Sequence, residues 1–407
     1  MSDHLDRAFS PAALGSLPLK NRILKAATYE GKTPDGMPGE LLLDFHRQIV
    51  AGGVAMTTIG YCTTEADGRI NDQMMWLHEG IRQQLSAMNA QLKQTAPEVK
   101  VSGQMTHCGS FSKNANLQRL KRPLGPSRWF NMMGASVGKP ISGTMTVDDI
   151  DYLVQTYQDA ARMMKETGFD AAEIHFSHGY GLSQFISPKT NRRSDEYGGS
   201  LANRMRLPLR VLDAVRNAVG DDFPILGKIG LTDGVKGGLQ IEEAIEVAAM
   251  LDSAGIDALI CSGGTSSFNP MVYFRGDTLD KGLLEVETNP IMKLGLRMVG
   301  PKMFKHYPYE ELYFLEDAKR VRDRVQNAQM VYIGGCTELS SIATVMAEGF
   351  DFVQLGRPLI KDPNFVNNAM ADRSYRNGCI HCNRCASLIE APGGVHCPLN
   401  DEQRATL

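Results

Sequence analysis

Short apolar runs recur along the chain, each closed by a glycine or a polar residue and followed by a stretch whose apolar positions fall three and four apart. Eight such runs are present: ILKAAT (23–28), GVAMTTIG (53–60), KVSGQM (100–105), FDAAEIH (169–175), PILGKIG (224–230), IDALICSGG (256–264), MVYIGG (330–335) and FDFVQLGR (350–357). Continuous apolarity, rather than alternation, is what a strand covered on both faces needs, so these runs predict a parallel sheet. Between them lie amphipathic helices. In 146–168, Ile150, Leu153, Val154, Tyr157, Ala161 and Met164 share one face, and Thr146 with Asp149 offers a capping box. In 240–255, Ile241, Ile245, Ala248 and Leu251 do the same, and Gly255 stops the helix. Strands alternating with helices eight times over predict an α/β fold, a (β/α)8 TIM barrel over 1–370, with a short cysteine-containing extension at 371–407 packed on it. A doubly wound open sheet would show the same alternation, but its G-x-G-x-x-G fingerprint after the first strand is absent. The barrel also fixes where chemistry is expected, because its site is built at the C-terminal ends of the strands.

Composition narrows the partners. The 43 basic and 46 acidic residues nearly balance, and no stretch gathers Lys and Arg as a phosphate-tracking surface would, so nucleic acid is not expected. The N-terminal stretch carries no signal-like apolar segment and no later run approaches the roughly 20 apolar residues that span a bilayer. The expectation is a cytoplasmic protein with no membrane partner; whether it forms a homo-oligomer stays open. Of eight cysteines, four are scattered and four cluster at 379, 382, 385 and 397, which suggests metal ligation rather than disulfides.

The strand ends supply candidate chemistry. HFSHGY (175–180) places His175 and His178 three apart, with Tyr180 beyond them. Two imidazoles at this spacing suit either a zinc site or a pair of hydrogen-bond donors with an acid beside them. Lys228 at the end of the fifth run would repel a cation, which disfavours the metal; a Schiff-base lysine there would instead make the protein an aldolase. Glycines at Gly334-Gly335 and Gly356, followed by Arg357, allow backbone N–H groups and a guanidinium to approach a phosphate. His107 and Cys108 are expected to shape the pocket. The long stretch from 264 to 295 reads as a lid or pocket wall that brings Tyr273, Phe274 and Arg275 toward a substrate.

EIHFSHGYGLSQFISPKTNRRSDEYGGSLANR resembles the central motif of the Old Yellow Enzyme family of FMN-dependent ene-reductases, also called NADH:flavin oxidoreductases. The opening FSPAALGSLPLKNRI, QMTHCG and LGRPLIKDP extend the likeness over roughly residues 8–370. The resemblance implies an FMN-dependent oxidoreductase with NAD(P)H as co-substrate, which reduces the C=C bond of a small α,β-unsaturated carbonyl compound such as an enone. It implies Gln104 at the polar edge of the flavin, Gly60 and the turn Ala26-Ala27-Thr28 lining it, and Gly334, Gly335, Gly356 and Arg357 at its phosphate. It further implies Lys228 as the cation beside the flavin, His175 and His178 on the substrate carbonyl, and Tyr180 as proton donor. Many relatives carry Arg at the position of Lys228, and a lysine lacks the bidentate fork. The alternatives are an amine dehydrogenase of the same family and, outside it, a zinc-dependent hydrolase on a TIM barrel.

The tail spacing C-x2-C-x2-C-x11-C, from Cys379 through Cys382 and Cys385 to Cys397, suits a 4Fe–4S cluster or a four-cysteine zinc site, against the bland reading of free thiols in a tail packed under the barrel. It is similar to the 2,4-dienoyl-CoA reductase branch, which has three residues between the second and third cysteines where this chain has two. No second glycine-rich fingerprint is present, so direct reduction of FMN by NAD(P)H is expected.

Overall fold

The computed structural model describes residues 2–288 and 290–405. Eight parallel strands close into a barrel: β1 Ile23–Lys25, β2 Met56–Thr63, β3 Lys100–Thr106, β4 Ala171–Phe176, β5 Ile225–Gly230, β6 Ala258–Ser262, β7 Gln329–Tyr332 and β8 Phe352–Leu355. Each pairs with its successor and β8 pairs with β1, so all eight predicted runs fall in the barrel in chain order. Two boundaries moved. β1 stops at Lys25 because 26–28 turn outward over the barrel mouth, and β2 continues past Gly60 to Thr63.

The barrel interior is apolar at its N-terminal end, where Leu24, Met56, Ala171, Leu226, Ile260, Val331 and Phe352 meet. A hairpin of Ala12–Leu14 and Leu17–Leu19 plugs that end with Leu14 and Leu19. Side chains on a strand return to the same face every second residue. Two residues beyond Ala171, Leu226 and Phe352, the inward positions are therefore Glu173, Lys228 and Gln354, and all three are buried. The interior thus changes from apolar to polar along its axis. The helix Val147–Glu166 begins with the predicted capping box, the Asp149 N–H donating to Thr146 Oγ1 at 3.1 Å and the Thr146 N–H to Asp149 Oδ2 at 3.0 Å. The second predicted helix spans Ile241–Ser253.

The long segment after β6 carries the helices Leu279–Val286 and Pro290–Met303. The C-terminal tail lies over the C-terminal ends of the strands, where His381, Ile389 and Glu390 line the barrel mouth. Its anchor is the β1 turn. The Val395 N–H donates to the Glu30 carbonyl at 2.8 Å, and Gly31 leaves room for the Ile389 carbonyl, with which a Cβ would collide.

Candidate active site

A cavity of about 810 Å³ sits over the strand ends. Ala26, Ala27 and Thr28 line one side, Gly334, Gly335, Gly356 and Arg357 another, and His178, Tyr180 and Lys228 a third. The segment after β6 adds Tyr273, Phe274 and Leu279, and the tail adds His381, Ile389 and Glu390. Residues predicted from six separate stretches of sequence are thereby brought to one chamber. Gly60, Gln104 and His175 do not line it, the last two being buried just behind its wall. Gly60 serves packing. It lies beside Ala27, whose Cβ would be 2.7 Å from any added side chain, and Tyr61, one residue later, faces the cavity in its place. Cys108 is buried beside it in a cluster with Tyr29, Phe111 and Tyr180, as a pocket-shaping residue would be. Arg275 is not a cavity-wall residue; it lies over the Tyr313 ring, 4.6 Å from its centroid.

His175 is the penultimate residue of β4, and its ring lies 4.9 Å from that of His178 and 4.7 Å from that of Tyr180, centroid to centroid. His178 occupies a left-handed backbone position, φ 60°, which turns its ring onto Tyr273 at 4.4 Å. The Ser177 N–H points to His175 Nδ1 at 3.3 Å, which places the hydrogen of the neutral ring on Nε2. That Nε2 is buried without a protein partner, so it is a preformed donor. His178 Nε2 is 2.8 Å from Ser262 Oγ. Burial first, then the neighbouring Lys228, pulls the His178 pKa down to about 3; burial, then His178 and Lys228, holds His175 well below the usual range. Both are neutral imidazoles at neutral pH. Burial pushes the Tyr180 phenol well above its ordinary value, and its hydroxyl shares a hydrogen bond with Tyr61.

Fully buried His175 and His46 have folded pKa values below that of the unfolded chain. The unfolded chain therefore binds more protons below about pH 6.5, so stability is lost as pH falls. The expected loss is about 1.4 kcal/mol per pH unit for each of the two, read as a lower Tm near pH 5 than near pH 7.5.

Below the histidines, Glu173 organises the polar layer. Its Oε1 accepts from Lys228 Nζ at 2.8 Å and from Gln104 Nε2, and its Oε2 from Gln354 Nε2 at 3.0 Å. Lys228 is therefore half of a buried ion pair, and Glu173 offsets much of its field. A second buried pair, Lys25 with Glu30, holds Thr28: Lys25 Nζ lies 3.1 Å and Glu30 Oε1 3.0 Å from its Oγ1.

Relatives converge on one assignment. Residues 7–267 match the NADH:flavin oxidoreductase / NADH oxidase family. Over 97% of its length the chain is 35% identical to the 4,4'-dithiodibutanoate disulfide reductase of Rhodococcus erythropolis, covering 95% of that protein. The chain belongs to the NADH:flavin oxidoreductase / NADH oxidase family. It is an FMN-dependent NAD(P)H oxidoreductase of the Old Yellow Enzyme type. It is also 28% identical to the NADH oxidase of Thermoanaerobacter brockii, spanning 53% of that longer protein. In fold it is similar to a 2-naphthoyl-CoA reductase (TM-score 0.79, 22% identity, 95% of this chain and 56% of that one). Morphinone reductase gives a TM-score of 0.69 at 21% identity, over 91% of this chain and 90% of that one. Among the described residues no helix is long and apolar enough to cross a membrane.

As a member of the flavin oxidoreductase family, the protein offers a flavin complementary groups. The buried Oε1 atoms of Gln104 and Gln354 and the His175 Nε2 have no protein partner, so acceptors and a donor are already desolvated around the cavity. Gly334 and Gly335 adopt φ 118° and 66°, backbone that disfavours a side chain, next to Arg357. The groups present fit FMN. Among the described residues no three His, Cys, Asp or Glu converge as ligands of a single metal ion. Cys379, Cys382, Cys385 and Cys397 instead surround one small cavity beside Arg357, and burial pushes the Cys385 thiol up to about 12.

Sequence reasoning missed Glu173, Tyr61 and Lys25. The EIH run did contain a charged residue inside an otherwise apolar strand, and a lone charge in a strand buried on both faces is the signal of a partner.

Proposed function

We propose that this oxidoreductase reduces the C=C bond of small α,β-unsaturated carbonyl compounds, with NAD(P)H as the source of the hydride. The observation that carries the reading is the contact triad of His175, His178 and Tyr180 at the cavity, with the His175 Nε2–H free. FMN, when bound, would supply the hydride chemistry that links NAD(P)H to the β-carbon of the second substrate. Gln104 and Lys228 would hold its polar ring edge, and Gly334, Gly335, Gly356 and Arg357 its phosphate. The two imidazole N–H donors meet the substrate carbonyl oxygen, where negative charge grows, and so stabilise the transition state more than the ground state. The Tyr180 phenol gives its proton to the α-carbon, which completes the addition of one hydride and one proton. Tyr61, hydrogen-bonded to Tyr180, keeps that hydroxyl oriented.

A second reading, cleavage of a small organic disulfide, is favoured by the full-length likeness to the disulfide reductase. There the hydride goes to one sulfur and Tyr180 protonates the departing thiolate. At the tail, the four cysteines line one small cavity, and the short C-x2-C-x2-C spacing favours an iron–sulfur cluster over zinc there.

One anaerobic preparation tests these readings. A flavin spectrum, bleaching by NADH or NADPH, and reoxidation by cyclohexenone are expected, with iron and acid-labile sulfide in the protein. Reoxidation by 4,4'-dithiodibutanoate but by no enone would replace the first reading with the second; zinc, or no metal, would remove the cluster.

A further inference from the structure

The cysteine loop reaches the cavity through one side chain. Asn383 lies between Cys382 and Cys385, is 1% exposed, and sits in the left-handed region with φ 57°. Its Oδ1 accepts from Arg357 Nη1 at 2.6 Å, and its Nδ2 donates to the carbonyls of Phe274 at 2.6 Å and Asp277 at 2.7 Å. Two carbonyl acceptors fix which end of the amide is nitrogen, so the oxygen must face the guanidinium. The same Nη1 also donates to the Arg275 carbonyl at 2.8 Å.

The neighbouring residue secures the loop from the other side. His381 stacks on Tyr309 with centroids 3.3 Å apart, its Nε2 is 2.8 Å from Thr337 Oγ1, and its carbonyl accepts the Asp277 N–H at 3.1 Å. Gly276 is a glycine for this approach, since a Cβ there would collide with the His381 carbonyl oxygen. Residues 381–383 are thus tied to the loops after β6, β7 and β8 at once, and the β8 loop supplies Arg357.

We propose that Asn383 is a positioning residue for Arg357, through which the cysteine loop sets how tightly the protein holds the phosphomonoester of its flavin. Anchoring Nη1 on two neutral oxygens fixes the plane of the guanidinium while leaving its charge uncompensated, which is what a dianionic phosphate requires. The inference rests on the FMN reading of the cavity.

The test is equilibrium binding of FMN and of riboflavin, which lacks the phosphate, to full-length apoprotein followed by flavin fluorescence. Wild type is expected to prefer FMN, and Arg357→Ala to lose that preference. Asn383→Ala is expected to weaken FMN binding by about tenfold or more, with riboflavin binding unchanged. Asn383→Ser, which cannot reach Arg357, carries the same expectation should the alanine variant fail to fold, and Asn383→Asp, which sets a carboxylate against the guanidinium, is expected to lose the FMN preference as well. If Arg357→Ala keeps the preference, the phosphate reading falls and takes the inference with it. If Arg357→Ala behaves as expected while Asn383→Ala and Asn383→Ser retain full preference, the inference alone is wrong. Equal weakening of both flavins would also overturn it, because it would show a merely structural role.

Discussion

Replacing Tyr180 with phenylalanine is expected to slow reoxidation of the reduced protein by cyclohexenone by about 10²–10⁴-fold, the usual worth of a general acid. Reduction by NAD(P)H should be unchanged, because that half-reaction needs no proton at the α-carbon. The ring itself would stay in place, held by Phe111 at 5.1 Å and Tyr61 at 5.1 Å, so the lost hydroxyl is the variable tested. Because burial keeps the phenol protonated well above its ordinary range, the wild-type enone rate should show no decline from ionisation of Tyr180 across neutral pH. Rapid-mixing traces of each half-reaction separate the outcomes, and an enone rate equal to wild type would show that the proton comes from another group.

Glu173→Gln is expected to destabilise the fold by about 3–5 kcal/mol, the cost of leaving one partner of a buried ion pair without the other. Lys228 is 2% exposed and Glu173 is fully buried, so solvent screens the lost charge only weakly. Chemical denaturation should show a lower midpoint, and the double variant Glu173→Gln with Lys228→Met should recover much of the loss, because it removes the orphan cation. Flavin content should fall in the single variant as well, since Gln104 and Gln354 both hang on the Glu173 carboxylate. A single variant as stable as wild type would mean that Lys228 does not depend on Glu173.

The glycine turns and HFSHGY could be read from sequence because each is a local pattern: a strand end, a spacing of three, a doublet of glycines before a helix. Tyr61 was hidden because Gly60 looked like the end of a strand, whereas β2 runs on to Thr63 and its packing against Ala27 is what the glycine serves. Lys228 was placed correctly at the strand end, but its pairing was not legible, because the partner sits on the adjacent strand at a register that only the closed barrel sets. Asn383 was passed over between two cysteines for the same reason, its three partners lying 26 to 109 residues away in the chain.

By itself the sequence determined the eight strands, their order and the face that would carry chemistry, since the repeat of apolar residues is a property of neighbours along the chain. The tertiary structure decided what those residues do to one another. Gln354 and Glu173 meet across 181 residues of chain, and the cysteine tail lies over the mouth of the barrel rather than beneath it. Charges and hydrogen bonds act over a few ångströms, so their partners are set by how the barrel closes and where the tail returns, which no local pattern records.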